Sequence, residues 1–429
     1  MDHKFKVLVI TYYFPPMGMS GVQRVLKFVK YMKNFNWEPT IITTGNTRYF
    51  AHDPKLFEEV EKLNLKVIRV GGFDPYSVLS NYKTIKMPAE FIRKLMSRLS
   101  KTFFIPDNKI FWSKKAFAAA KNLLDKEKFD IIFVSCPPFS SFKMAAKLSR
   151  IYDISLFVDY RDLWTNNQFS FNPSPLHKYL HKKMEYKALK TADKIITINR
   201  KIKEKIIKTF KFLTFEDVII LPQGFDAEDF ENSSPEPKLN NKIKLTYAGI
   251  FYEFITPKYF LKAFKELTIE RPDVAEDIEL YFIGHLRKEN KKLIKKLGLI
   301  PYVKDYGYLD HKSCIIKLMS SDVLWMMVGK SKNSDTISTG KLFEYFGARK
   351  PIIACVPEGA ARSAVQEYGA SFITEPDDVK QIKEALINIQ KLYKEGNLPK
   401  PKEDFIEKHR RDFLTEQLTK QFQFYLKEL

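Results

Sequence analysis

One unit recurs in both halves of this chain: a short, unbroken apolar run, a turn carrying glycine or proline, and then a stretch of helical period. In the first half, residues 7–10 lead through Tyr12-Tyr13-Phe14-Pro15-Pro16 and the loop Met17-Gly18-Met19-Ser20-Gly21 into a helix over 22–35. Val25, Phe28, Val29 and Met32 recur there at helical spacing. Strands at 39–44, 130–135, 155–158, 194–198 and 218–221 continue the pattern. It begins afresh at 243–247 and runs on through 278–283, 303–306, 323–328 and 352–356. Apolar runs this short suit strands covered on both faces, and strands alternating with helices make parallel sheets. The expected fold class is α/β, two doubly wound domains facing each other across a cleft. The first domain is expected over 1–226 and a linker over 227–242, where Asn232-Ser233-Ser234-Pro235-Glu236-Pro237 breaks the pattern. A second domain follows over 243–404, and a last helix, 405–429, is expected to cross back to the first.

A chain of 429 residues suits two cores better than one. Its net charge of +21 calls for an acidic partner or surface. The excess is densest over 83–128, where twelve Lys/Arg face four Asp/Glu and Phe91, Ile92, Leu95, Met96, Leu99, Phe103, Phe104 and Ile105 interleave. That pattern reads as an amphipathic basic helix suited to an anionic membrane surface, or as a solvated helix packed on its own domain. No zinc-finger, RNA-recognition or helix-turn-helix pattern favours nucleic acid. Cys136, Cys314 and Cys355 match no metal or redox spacing and read as reduced core residues of a cytoplasmic protein. The start shows no signal-peptide pattern, and no apolar run approaches the ~18 residues of a membrane span.

Two stretches carry chemistry. In Ser338-Thr339-Gly340-Lys341-Leu342-Phe343-Glu344-Tyr345-Phe346-Gly347, Thr339 and Gly340 suit a helix start, where a hydroxyl can cap and a residue without Cβ lets a ligand approach. The apolar residues share one face, leaving Lys341 and Glu344 on another, and Gly347 reads as the stop before Pro351. A helix start beside a strand collects anions, so one lysine for phosphate and one carboxylate for sugar hydroxyls would make a nucleotide-sugar site. The plainer reading is an amphipathic helix with a solvated Lys/Glu pair. Asp335 and Leu342 occupy positions that exclude a Walker A loop. The loop at 17–21 lacks the three-glycine fingerprint of nicotinamide binders. Asp159-Tyr160-Arg161-Asp162-Leu163-Trp164 is the second stretch, a polar cluster read at the carboxyl end of a strand, where open α/β sheets do their chemistry.

Taken in order, the motifs resemble the GT-B glycosyltransferases of the large retaining group called family 4, in particular the branch of bacterial surface-polysaccharide pathways. The resemblance rests on Tyr12-Tyr13-Phe14-Pro15-Pro16 with the glycine loop and Gln23-Arg24; Pro106-Asp107 with Trp112; Ser135-Cys136-Pro137-Pro138; the 159–164 cluster; Pro222-Gln223-Gly224-Phe225-Asp226; and Lys341-Leu342-Phe343-Glu344-Tyr345 with Pro351. It implies two Rossmann-like domains, with a nucleotide-diphosphate sugar held mainly by the second and an acceptor mainly by the first. Carried over, Glu344 binds the ribose hydroxyls, Gly249, Phe251 and Gly284 border the nucleotide, and Lys341 with Thr339 and Gly340 faces the diphosphate. Gly18, Ser20 and Gly21 approach the donor from the first domain. Arg161 and Asp162 are the implied catalytic residues, and Arg24, Pro138, Asp159 and Trp164 the implied acceptor residues. The implied reaction retains anomeric configuration and needs no cofactor or metal, since no Asp-x-Asp motif appears. Its acceptor would be a glycan or a lipid diphosphate at the inner face of the plasma membrane.

The chain departs from the family pattern in two places. Thr336 stands where many relatives carry a glutamate for the donor sugar, with Asp335 adjacent, and Lys258 is the substitute for the usual basic residue after Gly249. Two other readings stay open: a nucleotide-sugar epimerase, and a non-catalytic, membrane-associated partner subunit of a glycosyltransferase.

Overall fold

The computed structural model describes residues 4–18, 20–45, 47, 49, 52–71, 90–165, 167 and 171–428. The chain divides into two compact units, Met1–Pro222 with Arg411–Leu429, and Gln223–Arg410. The first unit is built on β1 (Phe5–Ile10), β2 (Trp37–Thr44), β3 (Lys66–Val70), β4 (Ile131–Cys136), β5 (Ser155–Tyr160), β6 (Lys194–Thr197) and β7 (Val218–Ile220). They form one parallel sheet in the order β3-β2-β1-β4-β5-β6-β7. Val7–Ile10 and Ile131–Val134 are wholly buried, which is why these strands read as unbroken apolar runs. The strand order reverses between β1 and β4, and the loops leaving their carboxyl ends carry Thr11–Gly18 and Pro137–Pro138.

The second unit holds β8 (Ile243–Ala248), β9 (Ile278–Ile283), β10 (Val303–Asp305), β11 (Val323–Met327), β12 (Ile352–Cys355) and β13 (Ser371–Thr374). Their order, β10-β9-β8-β11-β12-β13, is that of a dinucleotide-binding sheet, with the switch point between β8 and β11. The β8–β11 ladder pairs only Leu245 with Val323 and Thr246 with Leu324. Beyond it the Tyr345 hydroxyl takes over, accepting from the Ala248 N–H at 2.8 Å and donating to the Trp325 carbonyl at 3.1 Å. A phenol thus spans the mouth of the switch point.

Several sequence expectations shift at their edges. The helix read from residue 22 begins at Ser20 and runs Ser20–Met32, so Ser20 and Gly21 lie in its first turn and not in the loop. β5 continues through Asp159 and Tyr160, placing both inside the sheet. The expected helix over 405–429 is two helices, Glu403–Glu407 and Arg411–Glu428, which fall in different units. Arg411–Glu428 lays Leu414, Leu418 and Phe422 at i, i+4 and i+8 onto the first sheet, with Phe422 packed between Trp37, Phe133 and Phe157. Residues 83–89 of the basic stretch lie outside the described residues. The rest forms two helices. Ile110–Leu124 buries Trp112, Ala116, Ala120 and Leu123 in the core, whereas Glu90–Phe103 leaves Leu95, Met96, Leu99 and Phe103 exposed at 48, 44, 51 and 76%.

Candidate functional site

In the first unit the residues of interest gather at the carboxyl ends of β1, β4 and β5. Gly18 is buried, and Ser20 opens the helix behind it. Arg161 follows β5 and ties three backbone carbonyls together: its Nε donates to Cys136 O at 3.2 Å, Nη1 to Gly21 O at 3.1 Å and Nη2 to Pro137 O at 3.2 Å. Gly21 leaves room for this clamp: a Cβ there would lie 2.6 Å from Arg161 Nη1, and the guanidinium would have to shift. Asp162 is half-buried beside it. Burial raises its carboxyl above the usual range, Arg161 opposes the shift, and Asp159 adds to it.

Arg24 and Asp159 take a different place from the one the motif implied. Both side chains are fully enclosed, 0% exposed, and pair with each other: Arg24 Nη2 donates to Asp159 Oδ1 at 2.8 Å and Nε to both carboxylate oxygens at 3.0 and 3.1 Å. Arg24 spends further donors on Leu221 O and Pro222 O, and Asp159 accepts from Ser135 Oγ at 2.8 Å. They join the helix start, β4, β5 and the end of the unit, so they are scaffold and not acceptor contacts. Pro138 caps the helix Phe139–Tyr152. Trp164 is also mostly enclosed, stacked on Phe139 at 4.8 Å with its indole N–H donating to His181 Nδ1 at 2.9 Å. Its backbone N–H donates to the Tyr160 hydroxyl, which in turn donates to the buried carboxylate of Glu185. Thr165 Oγ1 donates to Glu185 at 2.5 Å as well. Burial pushes the Glu185 carboxyl up to about 7, against the pull of these hydrogen bonds.

In the second unit the site assembles around the switch point. Gly249 follows β8 with φ +155°, and a Cβ on it would stand 1.9 Å from Lys341 Nζ. Gly284 follows β9 with φ +114°, and a Cβ there would stand 2.4 Å from Gly249 O. Gly284 thus admits the Gly249 backbone, and Gly249 makes the room into which the Lys341 ammonium reaches, 5.8 Å from the centre of the Tyr247 ring. Burial lowers Lys341 to about 8, with Glu344 pulling the other way. Lys341 belongs to the helix Gly340–Gly347, whose N-cap Thr339 has extended backbone but makes no capping bond. The Thr339 hydroxyl oxygen is buried and has no hydrogen-bond partner among the described residues. The expected helix start is there, and the expected cap is not.

Other expected residues are placed less directly. Phe251 does not border an open site: it stacks on Tyr247 at 4.1 Å within an aromatic core that includes Phe282 and Trp325. Lys258 is exposed at the start of the helix Lys258–Glu270, its ammonium over the Tyr259 ring. Thr336 is buried and donates its hydroxyl to Asn333 O at 2.9 Å. The backbone of neighbouring Asp335 packs so closely on Gly359 that a Cβ there would fall 2.5 Å from Asp335 Cα. Gly347 ends its helix for a packing reason: a Cβ would meet Phe230 at 2.5 Å and Phe225 at 2.7 Å, while the left-handed residue of the turn is Arg349, φ 55°.

One neighbour of Glu344 was missed in the sequence. His311 opens the helix His311–Met319 behind its N-cap Asp310, and its Nδ1 lies 3.8 Å from Glu344 Oε1 while Nε2 lies 2.9 Å from Asp229 Oδ2. The Asp-x-x-Ser capping pattern at 310–313 was the available signal, since Asp310 accepts from Ser313 N and Ser313 Oγ and so starts the helix two residues earlier than expected.

Comparison with known proteins completes the description. A model of Glycosyltransferase Family 4 matches residues 20–229, and a model of Glycosyl transferases group 1 matches residues 229–412. No match is found among curated proteins. Among solved structures the chain is similar to a glycosyltransferase from Rickettsia africae, at 16% identity and TM-score 0.63, over 99% of this chain and 100% of that one. It is similar over the same shares to sucrose-phosphate synthase from Thermosynechococcus elongatus, at 14% and 0.67, and to the pneumococcal O-GlcNAc transferase in complex with UDP and GlcNAc, at 12% and 0.60. Identities this low establish the fold alone, and the two family models, running end to end along the chain, carry the rest. The chain belongs to the family 4, group 1 glycosyltransferases and has their GT-B fold of two Rossmann-like domains.

Proposed function

We propose that the protein transfers a sugar, with retention of anomeric configuration, from a nucleotide-diphosphate sugar to a glycan or lipid-linked acceptor in the building of a bacterial surface polysaccharide. The observation that carries the donor reading is the corner at the β8–β11 switch point. A half-buried lysine, a hydroxyl with no partner among the described residues and a helix N-terminus converge there beside two glycines that admit no side chain. A diphosphate answers each of these: it neutralises the ammonium, accepts from the hydroxyl and the first-turn amides, and approaches bare backbone. As the bond from the anomeric carbon to the diphosphate breaks, negative charge grows on the leaving oxygen, and these groups stabilise it without a metal ion. Arg161 and Asp162 are the catalytic pair of this reading, one a fixed cation and the other a carboxyl whose raised proton affinity suits proton handling at the acceptor hydroxyl.

A membrane-linked acceptor is supported by the helix Glu90–Phe103, which exposes Leu95, Met96, Leu99 and Phe103 among Lys94, Arg98 and Lys101. Among the described residues no helix is long and apolar enough to cross a membrane. The reading puts the protein on the cytoplasmic side, held peripherally at the inner face of the plasma membrane by this helix. The epimerase and partner-subunit readings gain nothing from the two family models.

Thermal unfolding against a panel of nucleoside diphosphates and nucleotide sugars tests the donor reading. A ligand at ~100 times its dissociation constant stabilises by about 2.7 kcal/mol. One nucleotide class is expected to raise the midpoint, with and without a chelator, and Glu344→Ala to remove the shift. No shift from any member of the panel would sink the proposal.

A further inference from the structure

We infer that His311, oriented by Asp229, is a positioning residue that holds the Glu344 carboxylate for the ribose diol of the donor; this rests on the reading of Glu344 given above. The contact is built from packing outward. Because Gly347 has no Cβ, the rings of Phe225 and Phe230, 5.5 Å apart, seat against the end of the helix Gly340–Gly347. That seats the short helix Ala227–Glu231, and Asp229 on it meets His311. Asp229 Oδ2 at 2.9 Å fixes Nε2 as a donor and thereby sets the rotation of the ring. The opposite nitrogen, Nδ1, then faces Glu344 Oε1 at 3.8 Å, an ion-pair distance too long for a hydrogen bond.

Neither side chain has much freedom, with His311 13% and Glu344 15% exposed. Lys341 also acts on Glu344, which pulls the lysine's proton affinity upward against burial. Asp310 caps its own helix through Ser313, and the Lys341 ammonium reaches past Glu344 to Gly249. A histidine serving only to join two helices would need Asp229 alone. As a cation, an imidazole held between two carboxylates restrains one carboxylate oxygen, and a carboxylate has lone-pair sites enough to accept from two hydroxyls besides. This is the arrangement by which a neighbouring group raises the precision of a residue that touches ligand.

The test reads ribose recognition itself. Uridine, adenosine and guanosine diphosphates, each beside its 2′-deoxy form, are titrated calorimetrically into the wild-type chain, His311→Gln, Glu344→Ala and the double variant. The tightest-binding base then gives a ribo-to-deoxyribo affinity ratio for each protein. Glu344→Ala is expected to collapse that ratio by roughly tenfold or more, as loss of a charged hydrogen bond should. His311→Gln is expected to lower it by about threefold to tenfold, and to add nothing in the Glu344→Ala background. Should His311→Gln fail to fold, Asp229→Asn, which keeps the imidazole and removes the charge that orients it, is expected to lower the ratio in the same sense. A ratio that collapses in Glu344→Ala but stays at the wild-type value in His311→Gln, or in Asp229→Asn where that stands in, overturns the positioning role and leaves the diol reading intact. A ratio unmoved by Glu344→Ala, or no binding of any of the three nucleotides, overturns both.

Discussion

Lys341 is the residue on which function and stability pull hardest in opposite directions. Its half-buried side chain reaches into the room that Gly249 leaves by lacking a Cβ, and burial brings its proton affinity down to about 8. An unfolded chain keeps that proton up to about 10.4. Between these values the unfolded state binds more protons, so the charge costs stability below pH 8 and the cost is relieved as pH rises from about 8 towards 10.4. Lys341→Met, similar in volume and without charge, is therefore expected to be more stable than wild type at pH 7, by the order of 1–3 kcal/mol, with the gain shrinking above pH 8. The same variant is expected to lose the thermal shift given by nucleoside diphosphates. Urea unfolding at pH 7 and pH 10 checks the first statement, and equal stability of the two proteins at pH 7 would refute it. That Lys341 and Glu344 stand apart from the buried face of their helix was legible in the sequence, because a polar pair interrupts an otherwise apolar run. The pairing of Arg24 with Asp159 was not, because the partners lie 135 positions apart and only the sheet brings them together.

Strands and helices were legible wherever burial was complete. The central strands β1, β4, β8 and β11 announced themselves as apolar runs, whereas β3 and β13, half-covered at the sheet edges, carry mixed residues and were passed over. Element order in space cannot be read from such runs, since every buried parallel strand looks alike. The splay between β8 and β11 was hidden for a related reason. Tyr345 was read as one more apolar residue on its helix, yet its hydroxyl replaces the ladder that these strands abandon after Thr246 and Leu324. Tyr345→Phe keeps the ring and removes the bridge, leaving the Ala248 N–H buried without its acceptor. The expected cost is about 1–3 kcal/mol, read as a lower urea midpoint at unchanged slope. A midpoint equal to that of wild type would show that the phenol is dispensable to the switch point.

For the molecule as a whole, the charge of +21 and the apolar row on Glu90–Phe103 make a joint claim about location. Replacing Leu95, Leu99 and Phe103 together by glutamine removes apolar area without touching charge. Sedimentation with vesicles containing anionic lipid is expected to carry down the wild type, to carry down this variant severalfold less, and to fall with added salt for both. Equal recovery of both proteins would mean that the helix plays no part in attachment. The two-domain plan was legible from the repeating units, but the break in the final helix was not, since 403–428 has helical composition almost throughout. That break decides the order in which the chain can be completed. Trp37, Phe133 and Phe157 emerge early from the ribosome, yet Phe422, which covers them, follows the whole of Gln223–Arg410. At ~5–20 residues per second the nascent first domain waits roughly ten seconds or longer with that face of its sheet uncovered. A stop codon after Arg410 would make the wait permanent, giving a product that chaperones retain and proteases clear.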